Sequence, residues 1–280
     1  MQLAELVRHA LAEDVGHRDV TTEATVPADR RGQAEIRAKQ ELVVCGHEPA
    51  AEVFRQVGAR YTIEVAEGQR VEPGAVIARV DGSLRAMLIG ERLALNFLMR
   101  LSGIATHTSQ TVSAAPDLRV VDTRKTTPLH RALERHAVRV GGGGNHRFAL
   151  YDGILIKDNH IAAAGGIAAA VAAARAFAHH LLRIEIEVGD LHELRQALEA
   201  GVDAVLLDNM DDDRIAEALA IVRSWQDGGQ GRVLVEASGN MDAARLPALA
   251  RLGVDLVSIG GLIHQATWAD LSMKIAMVTA

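Results

Sequence analysis

The spacing of apolar positions changes twice along this chain, and the changes divide it into regions of different architecture. Leu3, Leu6, Val7, Ala10 and Leu11 share one face of a helix over residues 3–13, and a polar loop ending in DVTTEATVP follows. Between Gln33 and Val80 the chain alternates in short stretches, AEIRAK, ELVVCG, RYTIEVA and AVIARV, punctuated by glycines and Pro73. That pattern predicts a small antiparallel sheet. A helix bearing Ala51, Val53, Phe54 and Val57 crosses it. From Leu84 to about Ala115 the spacing predicts a long helical region broken near Ser102-Gly103, with Leu88, Leu95, Leu98, Met99 and Leu101 as apolar positions.

Beyond Pro116 six apolar runs appear, at 118–122, 153–157, 182–188, 204–208, 233–237 and 256–260. Helix patterns fill the intervals: LHRALERHAV, the Ala-rich 162–178, LHELRQALEA, DDRIAEALAIVRSW and MDAARLPALARLG. Such alternation implies parallel strands joined by right-handed crossovers. A closed α/β barrel of six parallel strands is favoured over an open doubly wound sheet. Polar residues collect at the C-terminal ends of nearly all six strands, not at one switch point. The expected organisation is an N-terminal sheet-and-helix domain with its linking helix over 1–110 and the barrel over 111–266. A last amphipathic helix over 267–280 would return to the first domain.

Composition narrows the classes. With 280 residues and 49% hydrophobic content the chain buries an ample core, and 3% aromatic content makes that core aliphatic. Net charge −6, a sequence pI near 6.1 and the absence of basic blocks argue against nucleic-acid and membrane-surface partners. The single cysteine, Cys45, lies in an apolar run and reads as a buried structural thiol in a reducing, cytoplasmic setting. No run has the form of a signal peptide or the length of a membrane span.

Candidate chemistry gathers at the strand ends. DTRKT (122–126), GGGGNHR (141–147) and LIKDNH (155–160) supply Arg124, Lys125, His146, Arg147 and Lys157. Five potential cations placed this way in an acidic protein suit a small, strongly anionic ligand. Arginine grips carboxylates bidentately, while lysine serves as a point charge or tunable base. The four glycines indicate a tight turn or a ligand approaching the main chain. Glu187 and Asp208 end two further strands and either neutralise the cations or hold Mg²⁺ attached to a polyphosphate. EASGN (236–240) and SIGG (258–261) end the last two strands, a place where main-chain amides bind phosphomonoesters. Asp211, Asp212 and Asp213 read as helix caps, and His179-His180 as a solvated helix end. The rhythm of 65–82 resembles half of a biotinyl or lipoyl carrier, but the lysine-bearing hairpin such a carrier needs is missing. A barrel lyase using Lys125 or Lys157 as a Schiff base is the competing enzyme class.

With DTRKTTP, GGGGNHR, LYD, LIKDNH, IEVG, LLDN, EASGN and VSIGG in this order, the chain resembles the quinolinate phosphoribosyltransferases, also called carboxylating nicotinate-nucleotide pyrophosphorylases. The likeness covers nearly the whole length, including EDVG, VEPG, ERLALNFLMRLSGIAT and DLSMKI. It implies an N-terminal α/β sandwich, a six-stranded barrel, and a homodimer, or a larger assembly of it, with sites at the subunit interface. It further implies that Arg124, His146, Arg147 and Lys157 grip the two carboxylates of quinolinate, with Arg92 reaching in from the neighbouring subunit. Lys125 would contact the diphosphoribose, with Thr123 also among the substrate-binding residues. Glu187 and Asp208 would hold ribose hydroxyls and Mg²⁺. Ser238, Gly239, Asn240, Ser258, Ile259 and Gly260 would hold the 5-phosphate. Lys125, Lys157, Glu187 and Asp208 are the catalytic candidates. Leu129-His130 replaces a usual Gly-Leu, and Gly144 stands where a side chain is frequent.

Overall fold

A computed structural model describes residues 2–276, and its contacts separate two compact units. The first contains the described residues up to Ser109, residues 126–142, and the described residues from Gln265 onward. It begins with α1 (Leu3–Val15), which buries Leu6 and Val7. The stretch expected as a polar loop holds a short helix, α2 (Val20–Thr25), because Asp19 caps it by accepting the Thr22 N–H at 2.9 Å. Next come β1 (Arg31–Ala38), β2 (Leu42–Val43), α3 (His47–Val57), β3 (Arg60–Ile63), β4 (Arg70–Val71), β5 (Val76–Ser83) and α4 (Leu84–Ser113). β5 pairs antiparallel with β1 and β3, as the alternation predicts, and β2 pairs with β4. Ile36 of β1, Ile77 of β5, Phe54 of α3 and Leu98 of α4 are fully buried in one aliphatic core. Each such side chain contributes about 1.5–3 kcal/mol.

α4 runs without the break expected near Ser102-Gly103. Both residues are there for packing. The buried Ser102 hydroxyl accepts the Cys45 N–H at 3.0 Å and donates to the Cys45 carbonyl at 2.9 Å. A Cβ on Gly103 would stand 2.1 Å from the Thr267 carbonyl oxygen, so only glycine lets that segment lie against the helix. Cys45 itself is fully buried, as expected.

The second unit, residues 110–125 and 143–264, holds the barrel. Its strands are β6 (Arg119–Val121), β7 (Ile154–Ile156), β8 (Ile184–Val188), β9 (Ala204–Asp208), β10 (Leu234–Ser238) and β11 (Leu256–Ser258), parallel and ordered β6-β11-β10-β9-β8-β7. β6 and β7 end this order, and the glycine run adds one parallel bridge to β6, Val121 to Gly144. Between β6 and β7 the chain forms α5 (Arg131–Val140); after β7 come α6 (Asp158–Ala164), α7 (Ile167–Phe177), α8 (Leu191–Ala200), α9 (Asp212–Trp225), α10 (Leu246–Leu252) and α11 (Gly261–His264). The Ala-rich tract is divided at Gly165-Gly166, both at positive φ. No single described helix is long and apolar enough to cross a membrane. Along β8, Ile184, Ile186 and Val188 are fully buried, while Glu185 and Glu187 point to the opposite face, the barrel interior.

Two segments depart from the sequence boundaries. α5 groups with the first unit, although its sequence fits the barrel alternation. The reason is Glu134, whose side chain has no solvent exposure. Its carboxylate accepts from Arg100 of α4 at 2.8 and 3.0 Å and from the Thr127 N–H and hydroxyl at 2.8 Å each. His136 of the same helix meets Glu67 at 2.6 Å. At the other end, the helix expected over 267–280 is replaced at Leu271–Ala276 by strand β12, antiparallel to β1 with Met273 opposite Ile36. LSMKIA fits either period; β1 offers an unpaired edge, and Leu271 and Met273 alternate into the core. Residues 277–280 of that expected helix lie outside the described residues.

Candidate active site

The barrel register brings three strand ends side by side. Asp208 stands opposite Ser238, Ser238 opposite Ser258, and the Ser258 hydroxyl donates to that of Ser238 at 2.9 Å. The chain then turns sharply after each. Gly239 has φ +89°, and a Cβ there would stand 2.2 Å from Asn209 Oδ1. Asn209 and Asn240 both take left-handed backbone conformations, and Asn240 Nδ2 donates to Asn209 Oδ1 at 3.3 Å. Gly260 lies under Lys125, whose Cδ would be 2.7 Å from an added Cβ; Thr123 Oγ1 and His264 Nε2 would each be 3.3 Å away. Thr123, Lys125 and Gly260 therefore form one group. Ile259 is different: its side chain is buried and its N–H donates to the Val121 carbonyl, continuing the sheet. Asn209 and His264 escaped the sequence reading. The signals were LLDN, counted only for its aspartate, and a histidine four residues beyond Gly260. A cavity of ≈ 370 Å³ adjoins this end, lined by Asn209, Gly239, Asn240 and Arg245 among others.

The cationic segments converge in the same unit. Asp122, fully buried at the end of β6, accepts the Asn145 amide at 2.6 Å and the His146 N–H at 2.9 Å. Gly144 exchanges main-chain bonds with β6, donating to Val120 at 2.7 Å and accepting from Asp122 at 3.1 Å. The glycine run thus serves several ends: Gly142 has positive φ, and a Cβ on Gly144 would press Val121 at 3.1 Å. Arg147 donates to the Gly153 carbonyl at 2.8 Å. Burial and the charge of Arg124 both push the Arg147 pKa down. Lys157, at the end of β7, forms an ion pair with Glu187.

His146 is committed within the protein. Its Nδ1 accepts the Arg147 N–H at 2.7 Å, and its Nε2 lies 3.3 Å from both Glu185 and Glu236. Burial opposes charge on the ring, but the nearby Glu185 and Glu236 carboxylates outweigh it and draw its pKa up. Glu185 is raised as well, by burial first and then by the charge of Glu236. A doubly protonated ring would turn an N–H toward the Arg147 amide. With Nδ1 accepting, the ring carries its proton on Nε2, toward the two carboxylates.

Glu187 and Asp208 stand on adjacent strands and offer hard oxygen donors, which suit Mg²⁺ when phosphate and water complete its shell. Neither belongs to a close group of three such ligands among the described residues, so phosphate oxygens and water would complete the shell of any such ion. Asp211 caps α9, accepting the Arg214 N–H at 2.8 Å, as expected. Arg92 lies exposed on α4 in the first unit, on no barrel strand.

A six-stranded α/β barrel with Ser-Gly turns beside paired carboxylates, and arginines and lysines at neighbouring strand ends, defines a barrel enzyme for anionic, phosphorylated substrates. Comparison with known proteins then sets the family. The model of the quinolinate phosphoribosyl transferase C-terminal domain matches residues 104–274, and that of the N-terminal domain matches 19–102. The chain belongs to the quinolinate phosphoribosyl transferase family. It is 43% identical over 269 residues to a probable nicotinate-nucleotide pyrophosphorylase [carboxylating] of Synechocystis sp., covering 95% of this chain and 90% of the relative. Against the Bacillus subtilis protein of the same name it is 40% identical over 281 residues, covering 99% and 94%. The solved nicotinate-nucleotide pyrophosphorylase from Francisella tularensis superposes with a TM-score of 0.90 at 37% identity, covering 98% of this chain and 96% of that one.

Proposed function

We propose that the barrel site transfers the phosphoribosyl group of 5-phosphoribosyl diphosphate to quinolinate with decarboxylation, giving nicotinate mononucleotide, diphosphate and CO₂ for de novo NAD biosynthesis. One observation carries the reading: Asp122 fastens the segment leading to Arg147 at the end of β6, the strand end that also bears Arg124, so that Arg147 lies in the field of Arg124. A planar dianion relieves that repulsion by accepting from both forks.

In this reading Arg124, Arg147 and Lys157 hold the two carboxylates and present the ring nitrogen to the anomeric carbon. The nitrogen lone pair forms the new N–C bond as the bond to diphosphate breaks and its electron pair leaves with the diphosphate. Sugar cation character grows during that step, and Glu187 and Asp208 stabilise it while binding the ribose hydroxyls. Lys125, beside Gly260, faces the leaving group, and the Ser238–Asn240 and Ser258–Gly260 turns receive the 5-phosphate. The ring nitrogen is then cationic. The C2–carboxylate bond breaks with its electrons retained on C2, CO₂ departs, and a proton from water replaces it. Positioning supplies more of the acceleration than acid–base chemistry does. Glu187 and Asp208 would hold Mg²⁺, which when bound neutralises charge on the diphosphate.

The same reading has the chain work as a homodimer in the cytosol, with Arg92 of one subunit completing the site of the other. The experiment is incubation of the purified protein with quinolinate, 5-phosphoribosyl diphosphate and Mg²⁺. CO₂ and nicotinate mononucleotide should appear together and depend on all three additions; their absence rejects the reaction. Mixing Arg92→Ala with Lys157→Ala protein should regain activity that neither has alone, and no regain rejects the shared site.

A further inference from the structure

Building on the carboxylate pocket just assigned, we propose that Glu185 and Glu236 brace His146 across the barrel interior, so that His146 positions Arg147. Three observations lead there. Both ring nitrogens already face protein groups: Nδ1 the Arg147 N–H, Nε2 the two carboxylates. Only 15% of the His146 side chain is exposed.

The second observation is Glu236 itself. It is 1% exposed, and neither of its oxygens has a well-aligned hydrogen bond; the group within reach is the His146 ring, 3.3 Å away. A buried carboxylate so poorly served stabilises a fold less than an uncharged side chain of the same size. Its place in β10 therefore answers to something other than stability, and the group it faces is His146.

The third is the path of the chain. Residues 144–147 are fastened to the β6 end through Gly144 and Asp122. Without a further anchor this stretch could swing about β6. His146 supplies the anchor by reaching β8 and β10, the strands that flank β9 in the barrel order. Arg147 is then held at its main-chain amide by the His146 ring and at its guanidinium by the Gly153 carbonyl, 2.8 Å away. A guanidinium that must meet a carboxylate bidentately needs this, because small misplacements at a binding fork lose rate steeply.

The test uses full-length Glu236→Gln and Glu185→Gln, each compared with wild type in steady-state kinetics and thermal melting. The brace predicts a fall in kcat/KM for quinolinate of about tenfold or more, with KM for 5-phosphoribosyl diphosphate within about twofold. The melting temperature should stay level or rise. Glu236→Gln combined with His146→Gln should lose no more than the worse single variant, since both break one device. Normal quinolinate kinetics in both glutamine variants overturns the brace, as do losses that multiply in the double variant. A melting temperature that drops in step with activity also overturns it, by making the pair a scaffold only. Should the amide variants fail to fold, Glu236→Met carries the same measurements. Arg147→Ala separates the two levels of inference. If it stays active, the carboxylate pocket is wrongly assigned; if it is inactive while Glu236→Gln is normal, only the brace fails.

Discussion

The two units bury charge to different ends. In the first, Glu134 has every need met by the protein: the Arg100 guanidinium and two donors from Thr127 close around it, and α5 is fastened as a result. Glu67 is likewise shared between His136 and the main-chain amides of Gly46 and His47 at the start of α3. In the barrel, like charges are neighbours. Arg124 presses on Arg147, and Glu185 faces Glu236. Charges that are mutually satisfied hold elements in place; in the barrel the opposed arginines are left to meet a ligand, while the two glutamates are occupied with His146.

The comparison can be broken most forcefully in the first unit. Glu134→Ala strands a largely buried guanidinium and two donors, and should cost about 3–5 kcal/mol in denaturant unfolding. A cost below about 1 kcal/mol, the value of an exposed pair, would show that the pair is ornamental. In the barrel the effect should move from stability to turnover. Lys157→Ala and Arg147→Ala should each cut nicotinate mononucleotide formation by about a hundredfold while melting as wild type. Near-normal turnover in both would sink the assigned cluster.

A smaller effect follows from Glu67. Burial opposes its charge, yet hydrogen bonds from His136, Gly46 and His47 hold its pKa below the usual 4.5. Its contribution to stability is present above the unfolded value of 4.5 and is lost as pH falls through the lower folded value. Wild-type melting temperature should therefore fall on acidification below that range, and Glu67→Gln should show a shallower acid limb. An identical acid limb in the variant would remove the carboxylate from the account. The smallest change concerns Leu129, exposed and at φ 67°. Left-handed backbone costs a leucine about 1–2 kcal/mol, so Leu129→Gly should stabilise by up to about 1 kcal/mol after glycine's own entropy is counted. A loss of stability would place the strain elsewhere.

Much of the barrel was legible because its strands announce themselves one at a time. Each of the six apolar runs is a strand, and IEIEV alternates so plainly that its inner and outer faces can be assigned on paper. Strand-end cations and Ser-Gly turns were legible for the same reason, since the C-terminal edge of a parallel barrel is fixed by topology. What misled was punctuation. Ser102 and Gly103 look like a helix break and are contacts of an unbroken helix with Cys45 and the 267 segment. LSMKIA looks like a helix and is a strand, because an edge of β1 was open to it.

By itself the sequence determined the order of elements, the aliphatic character of the core, and which residue types stand at the strand ends, because those depend on neighbours a few positions apart. Only the tertiary structure decided that α5 belongs with the first unit and that β12 completes its sheet. It alone decided that His146 faces two glutamates from other strands. Partners brought together from distant parts of the chain leave no period in the sequence; they are chosen by which buried groups still lack a partner once the rest has packed.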